Sequence, residues 1–155
     1  MGSRREQIRM TDAEVAEFLA AERTMSVATT GPGGRPHLTA LWYVPDGATL
    51  STWTYATSQK VANLRRKAEA TVLVEAGESY EELRGVSMEC DVEVVEDEAG
   101  VVRIGSALLH RYSGSEEAAT AAAQFVRAQA AKRVGLVLRP TKVVSWDHRK
   151  LGGTY

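Results

Sequence analysis

The chain has 155 residues, with 19 Lys and Arg against 20 Asp and Glu and a net charge of −1. That length supports one domain, spanning 1–155, with a sizeable core. The near-neutral balance argues against a nucleic-acid coat or a general membrane-surface binder, so any charge-driven chemistry must be local. The lone Cys90 excludes an internal disulfide and a cysteine-built zinc site. No apolar run approaches twenty residues and no hydrophobic leader opens the sequence, so the expectation is a cytoplasmic protein.

Thr11 followed by Glu14 forms a capping-box pattern, and Val15, Phe18 and Leu19 give a short helix over 12–23 its apolar stripe. Residues 25–30, 35–44 and 48–55 read as strands joined by turns at Gly31-Pro-Gly-Gly34 and Pro45-Asp-Gly47, which makes consecutive antiparallel hairpins. A basic helix follows from Ser58, and 70–76 and 83–95 continue the sheet. Residues 100–112 and 116–132 carry helical spacing, the second with Phe125 and Val126 on its apolar side. Further strand segments, 134–139 and 142–146, flank Pro140 before a polar tail at 150–155. About six strands interrupted by helices fit a mainly β, α+β chain. The expected architecture is a six-stranded antiparallel split barrel with Greek-key connections and flanking helices, helix 12–23 plugging one end.

The junction from Leu50 to Arg66 carries the chemistry. Leu50 to Tyr55 is rich in Thr and aromatic residues, as half-buried strands are, and Ser58 can cap a helix whose apolar side is Val61, Ala62 and Leu64. A helix start offers free N–H groups to an anion. Lys60 lies in the first turn, with Asn63 and Arg65 or Arg66 one turn on. Cations at a helix start oppose the macrodipole, so their placement asks for a reason: either a bound phosphate or merely a solvated basic face.

Other chemistries find less support. His37, His110 and His148 have no mutual spacing that suggests a metal, and no Gly-x-Ser-x-Gly or Gly-x-Gly-x-x-Gly occurs at a strand-to-helix junction. Asp147-His148 beside Arg149-Lys150 reads as a solvated or interfacial segment, His37 beside Pro36 as structural, and Cys90 as a small core residue. No residue is assigned to catalysis and none to a metal. What remains is a cofactor that carries the chemistry itself.

The same corner is preceded by Gly-Gly-Arg-Pro-His-Leu-Thr-Ala-Leu-Trp-Tyr-Val at 33–44 and followed by Leu-Val-Glu-Ala-Gly-Glu-Ser-Tyr-Glu-Glu-Leu-Arg-Gly-Val at 73–86. In this order the segments resemble the split-barrel oxidoreductases related to pyridoxamine phosphate oxidase, and within them the deazaflavin (F420)-dependent branch. The resemblance implies that a phosphate-bearing tail meets Ser58, Gln59 and Lys60, supported by Asn63 and Arg66. It implies a tricyclic ring lying along His37, Leu38, Thr39 and Ala40 and along Thr52, Trp53 and Thr54, hydrogen-bonded mainly by strand backbone. Tyr80 and Arg84 would orient a small organic substrate, from this subunit or a neighbouring one; the competing reading pairs Arg84 with Glu81 or Glu82 at the surface. Trp146 is either an aromatic of a homodimer seam, binding the cofactor from across it, or plain core.

Two departures separate the chain from FMN-binding relatives. Apolar Leu41 and Trp42 stand where those oxidases carry a basic residue, and Gln59 stands where an Arg precedes the corner lysine. F420 is therefore the expected cofactor and FMN the alternative, because a phosphodiester with an acidic tail suits a broad basic surface at Lys60, Arg65, Arg66 and Lys67. A non-catalytic flavin or haem module is the other alternative, with His110 the only helical histidine for an axial ligand.

Overall fold

A computed structural model describes residues 2–153. Ser3 closes a capping box on the first helix, α1 (Arg4–Gln7), and Thr11 accepts a hydrogen bond from the Glu14 N–H to start α2 (Asp12–Ala21). The apolar stripe of α2 is the expected one: Val15, Phe18 and Leu19 are buried and join the core at one end of the sheet.

The strands follow in order: β1 (Thr24–Thr30), β2 (Pro36–Trp42), β3 (Val44–Asp46) and β4 (Thr49–Tyr55), then α3 (Gln59–Arg66), β5 (Glu69–Ala76) and β6 (Arg84–Val95). A helical excursion of α4 (Glu98–Tyr112), α5 (Glu116–Ala121) and α6 (Ala123–Ala130) leads to β7 (Arg133–Asp147). All pairings are antiparallel, in the order β2-β1-β5-β6-β7-β4-β3. Since β2 and β3 are the two ends of this order yet are joined through Tyr43 alone, the sheet must curl until its ends meet, as a split barrel does. No helix among the described residues is long and apolar enough to cross a membrane.

The sheet has seven strands, not six. The chain breaks at Tyr43, whose side chain is fully buried with its hydroxyl donating to the Leu19 carbonyl at 2.7 Å; beyond it Val44–Asp46 pairs with β4 as a strand of its own. Conversely, the two segments around Pro140 are one strand. Proline lacks the N–H a ladder needs, and here the register shifts opposite it, between Glu89 and Cys90, so the strand continues past the missing donor.

Alternation places Met25, Val27, Leu50, Val72, Val74, Val86, Met88, Leu136 and Leu138 inside the barrel, all essentially inaccessible to solvent. Cys90 is buried among them, and that burial pushes its thiol up to about 11, as suits a packing residue. The outer face of β4 is covered by α4, where Trp53 lies directly on Gly105: a Cβ at 105 would overlap its indole. Gly105→Ala should therefore cost about 1–3 kcal/mol of stability by overpacking. Urea unfolding reads this directly, and an unchanged midpoint would mean the indole does not press on that turn.

Candidate functional site

The barrel closes at one point and opens from there. Thr52 donates its hydroxyl to the Trp42 carbonyl at 2.7 Å, tying β4 to the end of β2. On the far side of that tie both strands lose a partner: β2 is an edge strand, and β4 beyond Ser51 has run out of β3. Two half-free strand edges therefore line a split, each with main-chain donors and acceptors that no ladder uses.

The closure is held by residues that the sequence reading missed. Arg111 at the end of α4 donates to the carbonyls of Leu19 at 3.2 Å, Ala20 at 3.1 Å and Glu22 at 2.6 Å, so a cation serves the open C-terminal carbonyls of α2. Tyr112 accepts from the Tyr43 N–H at 3.2 Å and stacks on Trp42 with ring centroids 4.4 Å apart. An Arg-Tyr pair ending a helix was the available signal, but its partners lie some 70–90 positions away in sequence.

Helix α3 stands at the open end of the split. Ser58 takes the extended N-cap conformation (φ −69°, ψ 154°), yet its hydroxyl caps nothing: it is buried without a partner. Lys60 reaches back to donate to the Thr54 hydroxyl at 3.0 Å, which places its ammonium between α3 and β4. Partial burial lowers the pKa of that ammonium. Fully buried Asn63 donates to the Thr29 hydroxyl at 3.0 Å; its carbonyl accepts from Gln59 at 2.8 Å and from Arg66 at 3.3 Å, and Arg66 also bonds the Thr30 carbonyl. Gln59, Asn63 and Arg66 thus weld α3 to β1.

The basic surface is narrower than its sequence suggests. Arg65 pairs with Glu96 at 2.6 Å and Lys67 with Glu69 at 3.5 Å, whereas among the described residues Lys60 and Arg66 have no carboxylate partner.

Strand β2 divides its residues between two faces. His37 and Thr39 point inward, paired in register with Thr29 and Val27, and the His37 Nδ1 and Thr39 Oγ1 are buried without partners. Leu38 and Ala40 point outward, Leu38 being 67% exposed. On β4, Thr52 and Thr54 are buried inward and Trp53 turns to the outer face under α4. The structure therefore gathers His37, Thr39, Thr54, Ser58, Gln59, Lys60, Asn63 and Arg66 around the split, and sends Leu38, Ala40 and Trp53 to the other face.

Tyr80, Arg84 and Trp146 lie elsewhere in the protomer. Arg84 pairs with Ala76 on β5, while Thr29 pairs with Ala70; six residues at 3.3 Å each put them about 20 Å apart along the sheet. The Arg84 guanidinium sits 5.5 Å from the Phe18 ring centroid, with the residue opposite Asp147 in register, and the alternative pairing with Glu81 or Glu82 is not formed among the described residues. Tyr80 stands edge-on to His148 at 4.7 Å, and its carbonyl meets the His148 ring at 2.8 Å. The Trp146 indole, half buried, lies across Gly85. Asp147 and Arg149 are bonded to each other at 2.7 Å, and those bonds hold the Asp147 carboxyl below its ordinary range, which makes this segment a structural clasp rather than an acid–base pair.

Residues 11–147 match the pyridoxamine 5'-phosphate oxidase family. The conserved hypothetical protein Rv2991 from Mycobacterium tuberculosis is similar in structure with a TM-score of 0.88 at 40% identity, covering 99% of this chain and 95% of that one. An F420 reductase aligns at 26% identity with a TM-score of 0.63, over 82% of this chain and 93% of its own. HutZ, the haem storage protein from Vibrio cholerae, shares the fold at 13% identity with a TM-score of 0.66, over 86% of this chain and 93% of that one. No curated protein matches the chain significantly. The family match runs from the cap of α2 to the last residue of β7, through every strand of the split barrel, and the chain belongs to the pyridoxamine 5'-phosphate oxidase family.

Proposed function

We propose that the protein binds F420 in the split between β2 and β4 and acts as a reductase on a small organic molecule. The observation that carries this reading is the start of α3. A buried Ser58 hydroxyl without a partner and a partly desolvated Lys60 ammonium without a counter-charge stand two residues apart at a helix N-terminus. A bound phosphate would satisfy the hydroxyl, the first-turn N–H groups and the ammonium together. The unpartnered His37 Nδ1 and Thr39 Oγ1 extend the same unmet polarity along the split. These residues fit an anionic group followed by a flat, hydrogen-bonding one.

The charge count supports F420 over FMN. A terminal phosphate dianion asks for several cations at one point, but Arg65 and Lys67 lie at the far end of α3 from its N-terminus, and Arg66 is turned to Thr30 and Asn63, which leaves Lys60, bonded to the neutral Thr54 hydroxyl, as the cation at the helix start. One ammonium suits the single charge of a phosphodiester. The two exposed ion pairs are weak and exchangeable, so Arg65 and Lys67 remain able to meet an acidic tail. When bound, a 5-deazaflavin supplies hydride transfer without an easy one-electron route. The chain's own part is to bind and orient: Thr54 fixes Lys60, Asn63 fixes α3 against β1, and the Thr52 bond to Trp42 sets where the split begins.

The working unit in this proposal is a homodimer. Leu38 and Leu73 stand exposed on the outer face of the sheet, with only Ser26, Ala28 and Ala40 between them in register, a flat patch suited to a two-fold contact. A partner would bring Trp146, Tyr80 and Arg84 to a split from which they are remote within one protomer.

Competitive titration of the purified protein with F420 and FMN tests the assignment. F420 should bind more tightly, with affinity falling as salt rises. Tighter FMN binding at moderate salt would reverse it.

A further inference from the structure

Outside the barrel, where β2 and β4 converge, the helical excursion roofs a second space. It is a cavity of about 380 Å³ lined chiefly by Trp42, Trp53, Leu108, Leu109, Phe125 and Arg133. Its size falls at the lower end of small-molecule pockets, which begin at about 300 Å³. The walls are aromatic and aliphatic, and Phe125 remains 53% exposed at its edge.

Arg133 is the charged group in this lining. Its guanidinium lies 4.8 Å from the Trp53 ring centroid and 4.2 Å from that of Tyr55. Its hydrogen bond to the Gln129 side chain is long, 3.4 Å, its Nε is buried without a partner, and no carboxylate pairs with it among the described residues. A cation held between rings and left without a counter-ion is incompletely compensated. Arg65, Arg139 and Lys142, by contrast, each find a glutamate.

We infer that this cavity binds a small planar aromatic anion, in the simplest case an aryl carboxylate. Its ring stacks among Trp42, Trp53 and Phe125, and its charge meets the terminal nitrogens of Arg133. The cavity shares Thr52 with the β4 wall of the split, and Trp53 follows it on the outer face of the same strand. Its role as the substrate's seat therefore rests on the proposed hydride transfer, but its ligand chemistry does not.

The cofactor-free protein is titrated with 2-naphthoate and with neutral 2-naphthamide by calorimetry, so a failure to bind F420 leaves the outcome readable. Naphthoate should bind about tenfold or more tightly than the amide, the scale of one charge-assisted contact, and Arg133→Met should erase that preference. Absent naphthoate binding, equal affinities in the parent, or a preference that survives Arg133→Met overturns the inference. If Arg133→Met does not fold, Leu109→Trp fills the cavity instead. It should abolish naphthoate binding, and undiminished binding there overturns the inference equally.

Discussion

Lys60→Ala should weaken F420 binding by about 1.5–3 kcal/mol, the scale of a charge-assisted hydrogen bond, and leave the unfolding midpoint nearly unchanged. Among the described residues its ammonium bonds the Thr54 hydroxyl and pairs with no carboxylate, so its removal strips little from the fold. Neighbouring Asn63 is the contrasting case: its amide bonds Thr29, Gln59 and Arg66 at once, and its loss should cost stability before it costs affinity. The pH dependence has a definite sign. Burial lowers the Lys60 pKa in the free protein, and a bound phosphate favours the charged form and raises it again. Affinity is then full where Lys60 is protonated in both states, and falls as pH rises through the lowered pKa of the free protein. That fall should begin at a lower pH than for an ordinary lysine, and the Lys60→Ala variant should lack it. Fluorescence titration across alkaline pH checks both effects; equal affinity in variant and parent would remove Lys60 from the site.

Disrupting the outer face of the sheet should separate the subunits and release the cofactor together. Leu38→Glu is the sharper variant, because the side chain is 67% exposed in the protomer and its replacement disturbs no internal packing. In the proposed dimer a carboxylate there would face its own copy across the two-fold, in an otherwise apolar contact. Trp146→Ala acts on the same seam, and a buried interfacial aromatic contributes about 2 kcal/mol or more. Tyr80, Arg84 and Trp146 are about 20 Å from the level of Thr29 within one protomer, so any contact they make at the split would require the second copy of the proposed dimer. Sedimentation with simultaneous detection of cofactor absorbance reads both events. A Leu38→Glu monomer that stays fully loaded would sink the shared-site model.

Local signals in the chain were sufficient for its local elements. The Thr11 cap, the alternation of 25–30 and 70–76, and the apolar spacing of Val15, Phe18 and Leu19 each depend on residues within a turn or a strand of one another, and each element stands where they place it. The position of Ser58 at the start of α3 was legible for the same reason, since a cap is set by its immediate neighbours. Pro140 misled because what carries the strand past it is a register shift against β6, where Thr141 goes unpaired between Lys142 opposite Glu89 and Pro140 opposite Cys90, and those partners lie some fifty residues away in sequence. Tyr43 ended β2 for a similar reason: its burial and its bond to Leu19 are tertiary facts.

The character of the site was decided almost wholly in three dimensions. Sequence places Lys60, Arg65, Arg66 and Lys67 in one basic run, but which of them remains without a carboxylate depends on where Glu96 and Glu69 come to rest. Strand period told which of His37, Leu38, Thr39 and Ala40 share a face, yet only the curl of the sheet determined that the inner face borders a split and the outer one a patch or a cavity. Arg133 had no local mark at all, because its significance comes from two rings on β4 and from the absence of a counter-ion around it among the described residues. Periodicity and capping act over a few residues, and the chain carries them everywhere. Charge compensation, strand closure and cavity walls are set by which distant residues the sheet register brings within a few ångströms, and that register exists only in the folded barrel.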